Sequence, residues 1–360
     1  MGKRIMMSLT FIVGVVLITF ILGAKCINVY LDNNYGFKID ENLLEDDYFT
    51  KNKEILKNKG IIEDVNTKEK ETLKVEEDSY KTSNILIKDI YYKRNVIDTY
   101  NTDYQVSSDV LNVIKSTINS YKGASSFYLL DLVNGGSIAY NVDTIYQAAS
   151  SIKAAYCLYL YEAAMEEKID LEEEIPYLAR YYNDGTGVVK NSEFGTMYKV
   201  RDLIRDTIVY SDNTAYKMLH GRFGVLDYNA MLDNLGVKRL HLTYANPWGL
   251  TDLRSLAIIW QEIYNFSLEN EEYGREYFNL LSENIYNYLK ETRPETFSAT
   301  KEGFTDDVTI ESGILFESHP IIVVAGANKA YDKEPVRQVK YLLSRLNLII
   351  DEYLEFLEEK

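Results

Sequence analysis

Apolar residues dominate one stretch in the middle of the chain, YQAASSIKAAYCLYLYEAAM, from Tyr146 to Met165. Between Ala154 and Leu160 almost every position is apolar, which is typical of a helix buried on all sides. Ser150 and Lys153 lie three apart near the start of this stretch. Because that spacing places two residues on one face of a helix, the hydroxyl and the amine can meet. The pattern therefore predicts a buried helix that carries a serine–lysine pair.

The flanking patterns predict strands at both ends of one domain. A helical stripe runs from Val106 to Gly123, and SFYLLDLVNGGSIAYN then predicts a hairpin. The chain is mainly helical from Glu162 to about Leu289, and this block includes one continuous helix over Tyr273–Tyr288. Three strand-like runs follow, SATKEGF, DVTIESGILFE and PIIVVAGAN, and then a long helix with Pro335 in its first turn. The two groups of strands can pair, so we expect an α/β fold of the α+β type with one antiparallel sheet.

The pair Ser150 and Lys153 has two interpretations when it is taken alone. Desolvation disfavours an ammonium group among apolar side chains, so the pKa of Lys153 is expected to be lowered. A neutral lysine beside a serine is one known way to activate a hydroxyl nucleophile. The alternative is a serine that caps the helix and a lysine that extends to solvent. Motifs elsewhere in the chain favour the first interpretation.

Two further motifs follow in a defined order. Ser211, Asp212 and Asn213 come at the end of an amphipathic stripe, and Lys301 and Gly303 precede the last strands. Ser-x-x-Lys, Ser-Asp-Asn and Lys-Thr-Gly form the motif set of class A β-lactamases and penicillin-binding proteins. The chain resembles this family from about residue 103 to its C-terminus, with Lys-Glu-Gly as the third motif. The glycine-rich segment GTGVVKN between the first two motifs adds to the resemblance.

The resemblance implies a two-lobed fold, in which a five-stranded antiparallel sheet is flanked by terminal helices and carries an inserted all-helical lobe. It also implies three catalytic roles: Ser150 as nucleophile, Lys153 as its base and Ser211 as the proton relay to the leaving nitrogen. Four further residues would bind the substrate: Asn213, Lys301, Glu302 and Gly303. The amide of Ser150 and that of Phe304 or Thr305 would form the oxyanion hole.

Two departures from the family pattern affect the expected activity. Class A β-lactamases carry a glutamate that activates the deacylating water, whereas residues 237–253 contain none. We therefore expect an acyl adduct with a β-lactam to persist. The hydroxyl residue of the third motif is replaced by Glu302, which would repel a ligand carboxylate if it faces the site. In the alternative orientation, the alternation of side chains along the strand points Glu302 away from the ligand. We favour the first orientation, which implies a substrate that is neutral or cationic at that end.

The N-terminal segment is predicted to anchor the chain in a membrane. Lys3 and Arg4 precede an unbroken apolar run from Ile5 to Ala24, which spans about 30 Å as a helix. The positive flank places the N-terminus in the cytoplasm and the rest of the chain outside the cell membrane. Cys26 leaves a lipoprotein as the alternative. We assign 1–25 to a single-pass anchor, 26–102 to an acidic stalk whose apolar clusters near 85–92 form a strand or pack on the domain, and 103–360 to the hydrolase domain.

Composition narrows the possible functions and partners. A net charge of −16 argues against nucleic acid as a partner. Three scattered histidines and two cysteines show no metal-ligand spacing, and we expect neither a metal nor another cofactor. No Gly-x-Ser-x-Gly motif is present, which argues against a Ser-His-Asp hydrolase. The sequence thus favours an extracytoplasmic serine hydrolase that acts on a β-lactam or a cell-wall peptide. A D-Ala-D-Ala-type peptidase or transpeptidase, and a weakly catalytic binding or sensing module of the same fold, are the alternatives.

Overall fold

An antiparallel sheet of six strands organises the part of the chain described by the computed structural model, residues 86–330 and 334–359. Its strands are β1 (Asp98–Tyr100), β2 (Ser125–Asp131), β3 (Ser137–Tyr140), β8 (Phe297–Phe304), β9 (Val308–Phe316) and β10 (Pro320–Asn328). Four short strands form two separate pairs: β4 (Tyr146–Gln147) with β7 (Leu250–Thr251), and β5 (Glu174–Pro176) with β6 (Met197–Lys199). The order in the main sheet is β1-β3-β2-β10-β9-β8, so β8 forms one edge. Strands from both ends of the domain pair, as the sequence predicts.

Helices cover the sheet and build the inserted lobe. They are α1 (Ser108–Ser120), α2 (Ile152–Met165), α3 (Val200–Val209), α4 (Asn213–Phe223), α5 (Leu226–Leu235), α6 (Leu253–Glu269), α7 (Tyr273–Ser282), α8 (Tyr288–Thr292) and α9 (Pro335–Glu358). Side-chain caps fix several starts: Ser107 accepts from Val110 N, and Asp252 accepts from Ser255 N. The predicted α+β fold with an inserted helical lobe is confirmed.

The buried helix α2 lies at the centre of the larger hydrophobic core. Every residue from Ala154 to Leu160 is at most 7% exposed, as the apolar pattern predicts. A second core lies on the opposite face of the sheet, where α1 and α9 pack against Leu129, Leu315 and Val323. The two cores follow from the alternation along each strand, since neighbouring residues point to opposite faces.

The sheet has one strand more than predicted, and the extra strand comes from the segment assigned to the stalk. In β1, Thr99 pairs with Ile138 of β3. Ile87 and Ile90 are also buried, and the guanidinium of Arg254 donates to their carbonyl oxygens at 2.8 and 2.7 Å. The domain therefore extends back to at least residue 86 rather than beginning at 103, because a buried arginine and a sheet edge hold this segment.

The predicted helix over Tyr273–Tyr288 is wrong in one respect: it is interrupted. The structure has α7 and α8 with a loop between them. In this loop Ile285 N donates to Val209 O at 3.1 Å, and Asn287 accepts from Lys290 N at 2.8 Å and caps α8. These contacts satisfy backbone groups of the loop outside a helix, and Asn284 lies beside strand β8.

The predicted membrane anchor and most of the predicted stalk lie outside the described residues, since the description begins at residue 86. Within 86–330 and 334–359, no helix has both the length and the apolar character needed to cross a membrane. The predicted anchor therefore stays a prediction.

Candidate active site

Ser150 lies in a tight turn that leads directly into α2. The turn, Ala149–Ser151, is a single 3-10 turn, and Ala149 adopts a left-handed backbone conformation with φ of 48°. Ala148 O accepts hydrogen bonds from the amide and the hydroxyl of Ser151, at 3.1 and 2.7 Å. A non-glycine residue in this conformation is strained and persists only where its surroundings hold it. The turn thus fixes Ser150 at the first turn of a rigid buried helix.

Lys153 is fully buried and joins the first two motifs. Its Nζ lies 3.0 Å from Oγ of Ser150, 2.6 Å from the carbonyl oxygen of Ser211 and 2.7 Å from Oδ1 of Asn213. Burial lowers the pKa of Lys153 well below its usual value, and the nearby charge of Lys301 lowers it further. A neutral amine gives its two N–H groups to Ser211 O and Asn213 Oδ1, so its lone pair can accept the proton of Ser150.

Ser211 bridges the two lysines of the site. It follows α3, has a left-handed φ of 52° and is fully buried. Its Oγ accepts a hydrogen bond from Nζ of Lys301 at 2.9 Å and lies 3.4 Å from Nζ of Lys153. The hydroxyl is therefore in contact with both amines and can pass a proton between either of them and a substrate.

Asp212, to which the sequence assigned no role, holds the glycine-rich segment against the second motif. Its carboxylate accepts hydrogen bonds from the amides of Val188, Val189 and Ala215, at 2.6, 2.8 and 2.9 Å. Gly187 has a φ of 112°, and a Cβ at this position would lie 2.1 Å from Cγ of Asp212. The position of Asp212 inside the motif was the only signal that the sequence offered.

Gly303 allows strand β8 to touch the turn that carries the nucleophile. A Cβ on Gly303 would lie 2.5 Å from Ala148 O and 3.2 Å from Ser150 N. Thr305 N donates to Val308 O at 2.8 Å, so this amide is engaged in the hairpin. Because N–H directions alternate along an antiparallel edge strand, the amide of Phe304 points away from β9. Of the two alternatives for the second oxyanion donor, the structure favours Phe304.

Lys301 and Glu302 form an ion pair that is completely buried. Nζ of Lys301 lies 2.7 Å from Oε2 of Glu302, and neither side chain is exposed. The same carboxylate oxygen accepts from Nδ2 of Asn284 at 2.8 Å. Glu302 pairs across the strands with Glu311. The structure thus brings six of the seven predicted site residues directly together, and it holds Glu302 behind Lys301. Sequence reasoning missed Asn284 and Glu311, which no motif marks.

An aromatic pair lies against Lys153: Trp248 from the loop that lacks a glutamate, and Tyr216 from α4. The ring centroid of Trp248 lies 5.7 Å from Nζ of Lys153, and that of Tyr216 lies 5.9 Å from it. The two rings are 5.3 Å apart, and the hydroxyl of Tyr216 donates to Pro247 O at 2.6 Å. An indole cannot accept a proton, so Trp248 supplies no base beside Lys153.

No cluster of histidine, cysteine, aspartate and glutamate side chains in the described ranges has the arrangement needed to hold a metal ion. Cys157 is a free, buried thiol in α2.

The fold and the arrangement of the three motifs are those of a β-lactamase-like serine hydrolase. The model of the β-lactamase enzyme family matches residues 108–351, more than half of the chain, and the chain belongs to this family. The resemblance inferred from the motifs is confirmed. A search of curated proteins gives no match.

Solved structures share the fold at low sequence identity. PBP-A is 16% identical with a TM-score of 0.63, and the match covers 70% of this chain and 100% of PBP-A. A β-lactamase from Sphaerobacter thermophilus is 19% identical with a TM-score of 0.59, covering 66% of this chain and 95% of that chain. A β-lactamase from Chitinophaga pinensis is 15% identical with a TM-score of 0.61, covering 68% and 99%.

Proposed function

We propose that this protein is an acyl-transfer enzyme in which Ser150 attacks the carbonyl carbon of an amide or ester. The observation that carries the proposal is the position of Lys153, fully buried with its Nζ 3.0 Å from Oγ of Ser150. A buried amine with a lowered pKa is a competent general base at neutral pH, which an ordinary lysine is not. The serine and its base are therefore already in contact before any substrate binds.

The reaction proceeds through a covalent acyl-enzyme. Lys153 takes the proton of Ser150 as Oγ bonds to the carbonyl carbon, and the amides of Ser150 and Phe304 stabilise the resulting oxyanion. Collapse of this intermediate breaks the bond to the leaving nitrogen, which receives a proton from Oγ of Ser211. The proton held by Lys153 then restores the hydroxyl of Ser211, across the 3.4 Å between the two groups.

The acyl-enzyme formed with a β-lactam is long-lived. Release requires a water activated beside Ser150, and the loop at this place brings Trp248 over Lys153 instead of a carboxylate. PBP-A, which shares the fold, has been solved in a mutant form as an acyl-enzyme complex with penicillin G. We therefore favour a penicillin-binding enzyme, with a peptidase or transpeptidase activity on cell-wall peptide, over a rapid β-lactamase.

Intact-mass spectrometry after incubation with benzylpenicillin tests this function. We expect the purified domain to gain the mass of one penicillin and to keep it for many minutes. Ser150→Ala should gain none, whereas Ser151→Ala, a matched control at the adjacent serine, should still be labelled. Equal labelling of wild type and Ser150→Ala would exclude Ser150 as the nucleophile. Rapid turnover without an adduct would exclude the penicillin-binding activity and favour a β-lactamase.

We also propose that the domain lies outside the cytoplasm on a single membrane anchor. Support comes from Lys3 and Arg4 ahead of the apolar run from Ile5 to Ala24. A C-terminal reporter that is active only outside the cytoplasm should be active, and the full-length protein should fractionate with membranes. A soluble form that begins near Cys26 would contradict the anchor, and lipid attached to Cys26 would favour the lipoprotein alternative.

A binding or sensing module without turnover is the second candidate function. One observation favours it: the ring of Trp248, which cannot act as a base, lies against Lys153 in place of a carboxylate that would activate the deacylating water. A stable adduct with β-lactams, together with no hydrolysis or transfer of cell-wall peptides, is the outcome expected for such a module.

A further inference from the structure

We propose that Glu302 selects the substrate without contacting it: it neutralises Lys301, so that the site prefers acyl donors that carry no carboxylate beside the scissile bond. This inference rests on the proposed acyl-transfer function and names the substrate class of the same site. It is built on the positions of Glu302, Asn284 and Glu311, three buried residues that take no part in the acylation steps.

Glu302 lies on the face of strand β8 that points away from the nucleophile. Gly303 contacts the turn of Ser150, so its neighbour in the pleated strand points to the other face. The cross-strand partner Glu311 is on that other face too, because its Oε1 accepts from Leu289 N at the start of α8. Glu302 therefore does not meet a ligand directly, contrary to the orientation that we favoured from the sequence.

The carboxylate of Glu302 nevertheless reaches the site through Lys301. Strand β8 is the edge of the sheet, so the two neighbouring side chains can meet around that edge. Oε2 of Glu302 receives Nζ of Lys301 at 2.7 Å and Nδ2 of Asn284 at 2.8 Å. All of these groups are buried, where an ion pair is screened little by solvent. Lys301 therefore carries its counter-ion within the protein.

Glu311 adds no net negative charge to the cluster, so the ion pair of Lys301 and Glu302 alone sets its charge. Burial raises the pKa of Glu311 well above its usual value, and the adjacent charge of Glu302 raises it further. Within the described part of the chain, Oε1 of Glu302 and Oε2 of Glu311 have no hydrogen-bond partner. Each of the two adjacent buried carboxyl groups has one oxygen without a donor, which disfavours a second negative charge there and favours the protonated form of Glu311. Lys301, Glu302 and Glu311 together are then neutral.

Burial also lowers the pKa of the second lysine of the site, Lys153, well below its usual value, which disfavours a positive charge on it. A ligand carboxylate next to Lys301 would thus meet an amine whose charge is already paired. The resemblance to the family implies a hydroxyl donor at the position of Glu302, and this chain has lost that donor as well. An ester or amide that is neutral or cationic at this end encounters none of these penalties.

Benzylpenicillin and its methyl ester test the inference, because they share one scaffold and differ in the carboxylate. We compare the rates at which each acylates wild type, Glu302→Gln and Glu311→Gln at neutral pH. Glu302→Gln keeps a side chain of the same shape but removes the counter-ion. The ratio of the benzylpenicillin rate to the methyl ester rate should rise by about 10- to 100-fold in this variant. The gain should appear as a lower KM for benzylpenicillin, because the substitution strengthens binding of the ligand carboxylate.

Glu311→Gln is the matched control, because a glutamine resembles the protonated glutamate that it replaces. Its rate ratio should equal that of wild type. An unchanged ratio in Glu302→Gln, or an equal rise in Glu311→Gln, would overturn the role of Glu302 while the acyl-enzyme function stands. If Glu302→Gln does not fold, the two acylation rates of the wild type test the inference instead. Faster acylation by benzylpenicillin than by its methyl ester would contradict it. No adduct with either compound in any variant would instead refute the acyl-transfer function.

Discussion

Gly303 and Ser150 meet backbone to backbone: a Cβ added to Gly303 would lie 3.2 Å from the amide nitrogen of Ser150. The amide of Phe304 follows directly in the same strand, so the contact sets the spacing of the two oxyanion donors. The distance between edge strand β8 and the start of α2 therefore depends on the absence of a side chain at Gly303.

Gly303→Ala should slow acylation of Ser150 by about 10²-fold or more, the usual loss when an oxyanion donor is removed. The added methyl would collide with the backbone oxygen of Ala148 at 2.5 Å and push β8 away from the turn. Labelling with a fluorescent penicillin measures the rate. Gly195→Ala is the control for an added methyl group without a collision: its Cβ meets nothing within 4 Å, although its φ of 94° makes the substitution strained. A Gly303→Ala variant that is labelled at the wild-type rate would show that the second donor lies elsewhere.

Acylation should depend on pH through Lys153. Its pKa is well below the usual 10.5, so the base is neutral over a range in which an ordinary lysine is charged. The rate should rise with pH as Lys153 loses its proton and should level off well below pH 10.5. Lys153→Ala should lose this rise and be slower by about 10²- to 10⁴-fold.

Lys217→Ala, which changes a lysine on α4 whose Nζ donates to Tyr182 O, should keep the wild-type pH profile. An unchanged rise in Lys153→Ala would mean that a different group acts as the base. The measurement is the rate of acylation by the methyl ester of benzylpenicillin between pH 5 and 9, because that probe does not titrate at the carboxyl group.

Trp248→Glu should shorten the lifetime of the acyl-enzyme. The indole lies 5.7 Å from Nζ of Lys153, and a glutamate in its place would bring a proton acceptor beside the acylated serine. General-base catalysis contributes about 10²- to 10⁴-fold, and part of this gain should appear as faster release of penicilloate. Trp248→Gln opens the same space without a base and is the matched control. Equal release by both variants would show that access of water, and not a base, limits deacylation.

Glu311→Gln should make the stability of the domain less dependent on pH. The pKa of Glu311 is raised in the folded state, so its contribution to stability is complete below the unfolded value of 4.5 and is lost as pH rises through the folded pKa. Over that interval the free energy of unfolding falls by about 1.4 kcal/mol per pH unit. Urea denaturation between pH 5 and 8 should show a smaller fall in Glu311→Gln. Glu174→Gln, at an exposed glutamate, should follow the wild type.

The amino-acid sequence alone determined the elements that depend on local patterns. The apolar run around Lys153 requires a buried helix, and the spacing to Ser150 requires that the two side chains share a face. Strand alternation near Gly303 and the turn residues between α1 and β2 follow from the same periodicities. The order of the three motifs then identified the family, since their residue types are tied to one chemistry.

Only the tertiary structure decided which distant groups meet. Asp212 accepts from the amide of Val188, Trp248 lies against Lys153, and Asn284 donates to Glu302. Each contact joins residues that are at least 18 positions apart in the chain. The predicted helix is interrupted near Asn284 because a backbone amide of the loop donates to a carbonyl oxygen outside the loop. The orientation of Glu302 shows the reason most clearly. Strand alternation points Glu302 away from the ligand, but its long side chain reaches Lys301 around the edge strand. The periodicity of the sequence cannot predict that contact.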